Sequence, residues 1–154
     1  MLETIPNAEL VAEFRQKITE SENFLGSLDQ LTIEVEHEFG EGLYRRKATA
    51  PKASVVISMV HKHDNFAFIM TGEVTVVSEA GPTRIKAPCA FLTKAGTKRM
   101  IIAHEESIWY TVHSIPDHLG PHSDIEDVED YLACGTLADY DLFLESQRLK
   151  LEGE

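Results

Sequence analysis

The sequence has few of the features that mark disulfide-bonded, secreted or membrane-spanning proteins. It contains two cysteines, Cys89 and Cys134, and neither lies in a Cys-x-x-Cys pair or in a Cys/His pattern with the spacing of zinc ligands. We therefore expect two reduced thiols. No apolar run approaches the roughly 18–20 residues of a membrane-spanning helix, and MLETIPNAEL lacks the basic flank and apolar stretch of a secretory signal. These absences predict a cytoplasmic protein with no membrane partner.

The residues that are present have the composition of one globular domain. Hydrophobic residues make up 43 % of the 154-residue chain and charged residues 26 %, which are ordinary values for a folded protein. A chain of this length buries roughly 70 % of its unfolded surface, so it can form a core without disulfides or a structural metal. The composition excludes a disordered or low-complexity protein.

Positive charge is scarce at both ends of the chain and concentrated in its middle. Residues 1–44 carry −8, residues 45–99 carry +7 and residues 100–154 carry −11, which together give the net charge of −12. Either these segments neutralise one another in the fold or across a subunit contact, or the middle segment presents Lys and Arg to a small phosphate, carboxylate or nucleotide. The acidic ends argue against binding of extended nucleic acid.

Apolar residues recur about every four positions near the amino terminus. They are Leu10, Val11, Phe14 and Ile18. This spacing predicts an amphipathic helix from Asn7 to Glu22, with Asn7 as its cap. We assign residues 1–31 to this helical segment.

From residue 32 the apolar period changes to two, which is the period of a strand with one buried face. Short strands then follow one another up to residue 115, separated by proline and glycine and not interrupted by helices. The strand-like segments are LTIEVEHEF, LYRRKATA, SVVISMVHKH, FAFIMTG, EVTVVSE, TRIKAP, CAFLTKAG, KRMIIAHEE and SIWYTVHSI. We therefore predict that residues 32–115 form an antiparallel sandwich or barrel.

The acidic segment 116–154 returns to helical patterns. Ser123 followed by Glu126 has the spacing of a capping box and precedes an apolar stripe that ends at Leu132. A second apolar cluster, Tyr140, Phe143 and Leu144, predicts one or two further helical turns before a frayed end.

Two histidines, His61 and His63, stand two residues apart at the end of the segment SVVISMVHKH. In a strand both imidazoles project from one face. Two such histidines at the mouth of a barrel begin a site for Fe(II), Mn(II), Ni(II) or Zn(II), which a third protein ligand would complete. Alternatively, the two rings are packed or hydrogen-bonded without a metal.

The segment HKHDNFAFIMTGEVTV resembles the first motif of the cupin family, whose members are small jelly-roll barrels, and APCAFLTKAGTKR resembles the second. The resemblance covers residues 43–115. His61, His63 and Gly72 match the first motif, and Pro88 and Gly96 occupy turn positions of the second. It implies a mainly β fold, a single antiparallel β-barrel or jelly roll, with the helices as amino- and carboxy-terminal additions. It also implies metal-dependent dioxygenase, isomerase or lyase chemistry.

Two departures from the cupin motifs put the metal site in doubt. The glutamate that usually follows the two histidines has no counterpart, and Arg99 stands where the second motif supplies a metal-binding histidine. A guanidinium is a cation with no lone pair to donate, so it cannot ligate a metal. A substitute third ligand would come from later in the sequence, with His113 and Glu105 as the first choices. Asn65 and His104 are further candidates.

Arg99 favours a different chemistry. On the alternation of KRMIIAH it shares a face with Ile101 and Ala103, so an inward-facing Arg99 needs an anionic partner. That partner is either Asp64 or Glu105 of the protein itself, or the carboxylate or phosphate of a ligand. Tyr44 and Arg46 share one face of LYRRKATA and are placed to line the same cavity. The predicted ligand-binding residues are therefore Arg99, Tyr44, Arg46, His61 and His63.

The sequence is compatible with four functions and does not decide whether the protein is an enzyme. The first is a module that binds a small anionic molecule and needs no cofactor. The second is a metal-dependent enzyme that holds one divalent transition metal through His61 and His63. The third is metal-free acid–base chemistry of the sugar-nucleotide epimerase type, with His63 as base and Tyr44 or Tyr110 as acid. The fourth is a structural protein.

The overall motif pattern is also similar to a group of small cupin-like proteins of tailed bacteriophages. This similarity implies that the protein is phage-encoded. In that case it either sequesters a ligand in the host cytoplasm or serves as a structural phage component. We further expect a homodimer or a higher symmetric assembly, because a small barrel with helical additions can cover their apolar faces across a two-fold axis.

Overall fold

The structure, a computed structural model, describes residues 8–153, so the predicted cap Asn7 lies outside the described residues. Its elements are α1 (Ala8–Gly26), β1 (Glu34–Gly40), β2 (Leu43–Ala50), β3 (Val55–Ile57), β4 (Val60–His61), β5 (Asn65–Thr71), β6 (Glu73–Ser78), β7 (Gly81–Lys86), β8 (Cys89–Thr93), β9 (Met100–Ala103), β10 (Ser107–Ser114), α2 (Ile125–Leu132), β11 (Ala133–Cys134) and α3 (Leu137–Glu152). None of the helices in this described range is long and apolar enough to cross a bilayer.

Two antiparallel sheets form the body of the fold. One has five strands in the order β1-β2-β10-β5-β8, and the other has four in the order β3-β9-β6-β7. The alternating apolar side chains of both sheets meet in one buried cluster. The five-stranded sheet contributes Ala48, Ala50, Ile69 and Trp109, and the four-stranded sheet contributes Val74, Val76, Ile101 and Ala103. The predicted mainly β, antiparallel architecture with terminal helices is confirmed.

Of the predicted barrel or jelly roll, the described strands form the jelly roll. Among the described strands neither sheet closes on itself, so β7 and β8 are free edges. Closure would require each edge strand to hydrogen-bond to another. The fold is instead a jelly roll made of two facing sheets.

The segment SVVISMVHKH, predicted as one strand, is divided into β3 and β4. Ser58 interrupts it, because its N–H donates to the Arg99 carbonyl at 2.9 Å and its hydroxyl accepts from the Arg99 N–H at 3.0 Å. Beyond Ser58 the chain leaves the four-stranded sheet, and β4 pairs with β11, a strand that the sequence did not predict. This pairing brings the carboxy-terminal segment to the end of the sandwich.

The two carboxy-terminal helices differ in detail from the sequence prediction. The capping box is wrong: Asp124 caps α2 without a side-chain hydrogen bond, and the Ser123 hydroxyl accepts from the Gly120 N–H at 3.0 Å instead. The final helix is longer than the one or two turns predicted, since α3 has 16 residues. Thr136 caps it, accepting a hydrogen bond from the Asp139 N–H at 3.1 Å.

Helix α1 extends beyond its predicted end and is held by polar contacts as well as by the buried Ile18. Glu22 pairs with Lys98 at 2.8 Å, and the ammonium group of Lys98 also donates to the Gly135 carbonyl at 3.1 Å. Arg15 pairs with Asp141 of α3 at 2.8 Å. The amino-terminal helix is therefore joined to both the sandwich and the carboxy-terminal helix.

Both cysteines are free thiols, as predicted. Cys89 lies half-buried on β8, and Cys134 is buried on β11.

Candidate functional site

A cavity of about 170 Å³ lies between the two sheets, and α2 and β11 complete its wall. Most of the wall is apolar, with Phe91 and Trp109 as its aromatic members. An apolar cavity of roughly 150 Å³ can hold a benzene molecule. The cavity therefore has room for a compound of about that size.

Eight polar side chains line this cavity. They are Tyr44 and Arg46 from β2, Ser58 and His61 from the β3–β4 segment, Arg99 from the residue before β9, Thr111 and His113 from β10, and Glu129 from α2. The antiparallel register of β2 and β10 places four of these residues side by side, because Tyr44 pairs with His113 and Arg46 pairs with Thr111. Four of the five predicted ligand-binding residues are thus brought together.

Arg99 is the most deeply buried charged group of the cavity, with 7 % of its surface exposed. Its Nη2 donates to the Thr93 hydroxyl at 2.9 Å, and its guanidinium lies 5.3 Å from the centre of the Phe91 ring. Its buried Nε has no hydrogen-bond partner. Burial lowers the pKa of Arg99 to about 10, so the group is still charged at neutral pH.

No carboxylate of residues 8–153 forms an ion pair with Arg99 or with the half-buried Arg46. Both protein partners proposed for Arg99 lie elsewhere. Asp64 accepts from the Ala95 N–H at 2.8 Å, and Glu105 is exposed in the turn after β9. Glu129 is the carboxylate of the cavity wall, so the wall carries more positive than negative charge.

The two histidines of the cavity are neutral at physiological pH. Burial, with the charges of Arg99 and Arg46 and the neighbouring His113, lowers the pKa of His61 to about 3. Burial, with Arg46 and His63, lowers the pKa of His113 to about 4. The Nε2 of His113 hydrogen-bonds to the Thr111 hydroxyl at 2.8 Å, whereas the buried Nδ1 of His61 has no partner.

Tyr44 is almost fully buried, and burial raises its pKa to about 12. Its hydroxyl shares a hydrogen bond of 2.5 Å with the Nδ1 of His37 on β1. Its ring stacks on His113 with 5.7 Å between the ring centres. Tyr44 therefore contributes an aromatic surface to the cavity, while its hydroxyl is engaged towards β1.

His63 does not line the cavity. The strand β4 ends at His61, so the two-residue alternation that would place both imidazoles on one face stops there. The His63 ring instead stacks on Tyr131 of α2, with 4.9 Å between the ring centres. The other candidate ligand His104 hydrogen-bonds to the Thr75 hydroxyl at 2.6 Å.

The residues of the cavity do not fit the divalent metal that the cupin motifs imply. His61 and His113 approach each other, with ring centres 5.8 Å apart. However, within the described part of the chain no three His, Cys, Asp or Glu side chains are grouped so that they could hold a metal ion. Arg46 and Arg99 add positive charge that repels a cation. We therefore derive no chemical step through a metal.

Three of the eight polar residues of the cavity were not predicted from the sequence. Thr111 lies on the inward face of SIWYTVHSI with Trp109 and His113, so the alternation of that segment could have identified it. Ser58 lies at the strand break, and Glu129 comes from a helix that follows the sandwich in sequence. No local pattern indicates that either of them reaches this cavity.

No family model and no curated protein matches the sequence. Solved structures with a similar fold include KdgF from Halomonas sp., at 17 % identity and a TM-score of 0.50 over 60 % of this chain and 88 % of that one. They also include a cupin superfamily protein from Desulfitobacterium hafniense DCB-2, at 9 % identity and a TM-score of 0.49 over 58 % and 84 % of the two chains. The Schizosaccharomyces pombe Cnp3 cupin domain matches at 20 % identity and a TM-score of 0.47 over 60 % and 67 %.

Cupin superfamily proteins are thus among the structural neighbours of this chain. At these identities the likeness concerns the fold alone and says nothing about ligand or reaction.

Proposed function

We propose that this protein binds a small anionic molecule in the cavity between its sheets, with the anionic group on Arg99. The observation that carries the proposal is the buried guanidinium, 7 % exposed, with no carboxylate partner in residues 8–153. Burial of an unpaired charge is unfavourable. The hydroxyl of Thr93 and the ring of Phe91 offset part of that cost, and a bound anion would offset much more.

The size and charge of the cavity favour a small carboxylate or phosphate over a nucleotide. Sites for larger organic ligands usually enclose about 300–1,000 Å³, whereas this cavity encloses about 170 Å³. The neutral His61 and His113 can hydrogen-bond to a ligand without adding charge. Arg46 adds a second cation at the wall, which strengthens the preference for an anion.

We propose binding rather than catalysis. An imidazole with a pKa of about 3 or 4 is a weak general base at neutral pH, because efficient bases have a pKa near the operating pH. His63, the base of the epimerase alternative, does not line the cavity. The resemblance to phage cupin-like proteins supports the narrower proposal that the protein is phage-encoded and sequesters its ligand in the host cell.

Calorimetric titration of the purified chain with acetate, benzoate and phosphate tests the proposal. We expect at least one of these anions to bind, and Arg99→Met to weaken that binding by about 10- to 100-fold, since a hydrogen bond to a charged group contributes roughly 1.5–3 kcal/mol. Methionine retains the length and the apolar stem, and removal of a buried unpaired charge should leave the fold intact or more stable.

Arg148→Met is the matched control, because Arg148 lies on α3 and pairs there with Glu145 and Glu152. It should bind anions like the natural chain. Unchanged affinity in Arg99→Met, or no binding of any of the three anions by the natural chain, would contradict the proposal.

A further inference from the structure

A groove of about 640 Å³ lies between the free edge strands β7 and β8, on the side where the jelly roll is open. Thr83 and Ile85 of β7 form part of one wall, and Cys89 and Leu92 of β8 form part of the other. The function proposed above does not use this groove.

The groove and the cavity share part of their walls. Val76, Phe91 and Arg99 line both spaces. Arg99 therefore lies between the cavity and the groove and forms part of the wall of each. A molecule that places its anionic group on Arg99 can lay the rest of its length along the groove.

The groove suits an apolar chain with a single anionic end. Ile85, Cys89, Phe91 and Leu92 give it apolar walls, and Leu92 is 46 % exposed to solvent. Its two lysines already have protein partners, because Lys94 pairs with Asp64 at 3.4 Å and Lys98 pairs with Glu22 at 2.8 Å. Among the described basic residues of the groove, only Arg99 lacks a carboxylate.

The volumes of the two spaces indicate which of them holds the larger part of such a ligand. The cavity accepts a group of about the size of benzene, whereas the groove has the volume of a site for a larger organic molecule. Burial of an alkyl chain against apolar walls is favourable in proportion to the area removed from water.

We propose that the ligand is a linear amphipathic carboxylate, with its carboxylate on Arg99 and its hydrocarbon chain in the groove between β7 and β8. The inference rests on the proposed function, because both use Arg99 as the anion-binding group. Beyond the proposed function, it assigns the groove as a second binding surface and linear amphipathic carboxylates as the class of ligand.

Calorimetric titration with propionate, hexanoate and decanoate tests this inference. A fully buried methylene tightens binding by roughly fourfold. We therefore expect decanoate to bind at least about tenfold more tightly than hexanoate, even when part of the chain stays in contact with water. Arg99→Met should weaken the binding of all three acids.

Thr83→Glu places a charge in the groove at an exposed position of β7, so the fold should be retained. We expect it to reduce the ratio of decanoate affinity to propionate affinity by at least about fivefold. The ratio removes any general electrostatic effect of the added carboxylate on anion binding. Thr71 is another exposed threonine, at the end of β5 and outside the groove, so Thr71→Glu is the matched control and should leave the ratio unchanged.

Alkylation of Cys89 gives a second measurement on the unaltered chain. Cys89 lines the groove and is half-buried, whereas Cys134 is buried on β11. Decanoate should slow the reaction of Cys89 with iodoacetamide, and propionate at the same fractional saturation should not. Equal protection by both acids would overturn the inference.

The remaining outcomes separate the two proposals. Small acids that bind through Arg99 with an affinity independent of chain length would overturn this inference and leave the proposed function standing. Length-dependent binding that persists in Thr83→Glu would place the hydrocarbon outside the groove and would also overturn it. If no carboxylic acid binds, this inference is wrong, and the proposed function then stands only if phosphate binds through Arg99.

Discussion

Arg99, His61 and His113 share one cavity, and burial lowers the pKa of all three with different consequences. Arg99 begins from an ordinary value of 12.5 and falls to about 10, so it stays charged at pH 7. The histidines begin at 6.5 and fall to about 3 and 4, so they are neutral. One apolar environment therefore produces a cation beside two uncharged hydrogen-bonding groups.

The depressed pKa values of the two histidines predict that the free energy of unfolding falls as the solution is acidified. Between about pH 4 and pH 6.5 the unfolded chain binds protons that the folded chain does not, so stability is present above pH 6.5 and is lost below it. Each histidine lowers the free energy of unfolding by roughly 1 kcal/mol by pH 5.5. We expect urea unfolding to show a loss of about 2–3 kcal/mol between pH 7.5 and pH 5.5 from the pair.

Substitution distinguishes the contribution of these histidines to the pH dependence of stability from that of other titrating groups. His113→Gln should remove about half of the pH dependence, and His118→Gln, which changes an exposed histidine, should leave it unaltered. An equal pH dependence in the natural chain and in His113→Gln would contradict the assignment.

Individual site residues could be predicted where a strand continues and not where it ends. The alternation of LYRRKATA predicts Tyr44 and Arg46 on one face, and both line the cavity from the regular strand β2. Arg99 lies one residue before β9 and lines the cavity as well, because its carbonyl still accepts from the Ser58 N–H and extends the pairing of β3 with β9. The same rule failed at His63, since β4 ends at His61 to pair with β11. That pairing joins residues far apart in sequence, so no local sequence pattern predicts it.

At the scale of elements, the helix α1 is held to the sandwich by an ion pair whose lysine is buried. The Lys98 side chain is 2 % exposed, and the Glu22 side chain is 36 % exposed. Loss of Glu22 would leave the ammonium group buried with only the Gly135 carbonyl as a partner. An uncompensated buried charge is much more costly than a lost surface ion pair.

We predict that Glu22→Gln lowers the free energy of unfolding by about 1–3 kcal/mol, which urea denaturation would measure. The control Glu13→Gln breaks an exposed pair with Lys17 on the same helix and should lower the free energy of unfolding far less than Glu22→Gln does. Equal effects of the two substitutions would show that Lys98 does not depend on Glu22.

The elements themselves were predictable to different degrees. β2 has the bounds of LYRRKATA because two turns delimit a clear alternation. α3 was underestimated since none of its residues is buried, and without a buried face the sequence shows little apolar periodicity. Whether a sheet closes depends on the distance between its edge strands. The residue pattern within a single segment does not predict that distance.

At the scale of the whole molecule, the uneven distribution of charge has two explanations, and each holds for different residues. Ion pairs between the acidic amino-terminal segment and the basic middle neutralise part of the positive charge. They join Arg45 to Glu38, Lys47 to Glu36 and Lys98 to Glu22. Arg46 and Arg99 have no such partner among the described residues, and these two line the cavity.

Large apolar side chains on the terminal helices remain exposed in the single chain. Leu142 and Leu151 of α3 are 69 % and 75 % exposed, and Phe24 of α1 is 63 % exposed. We predict that the protein forms a homodimer or a higher symmetric assembly that covers them. Light scattering after gel filtration should give at least twice the chain mass at micromolar concentration. A single-chain mass would contradict the prediction.

The chain has one tryptophan, and Trp109 lies in the wall of the cavity with 6 % of its surface exposed. Its indole emission therefore comes from one place in the molecule and reports the polarity of the cavity interior without interference from other indoles. The position of the emission maximum, followed during titration, becomes an optical measure of whether a ligand has entered the cavity.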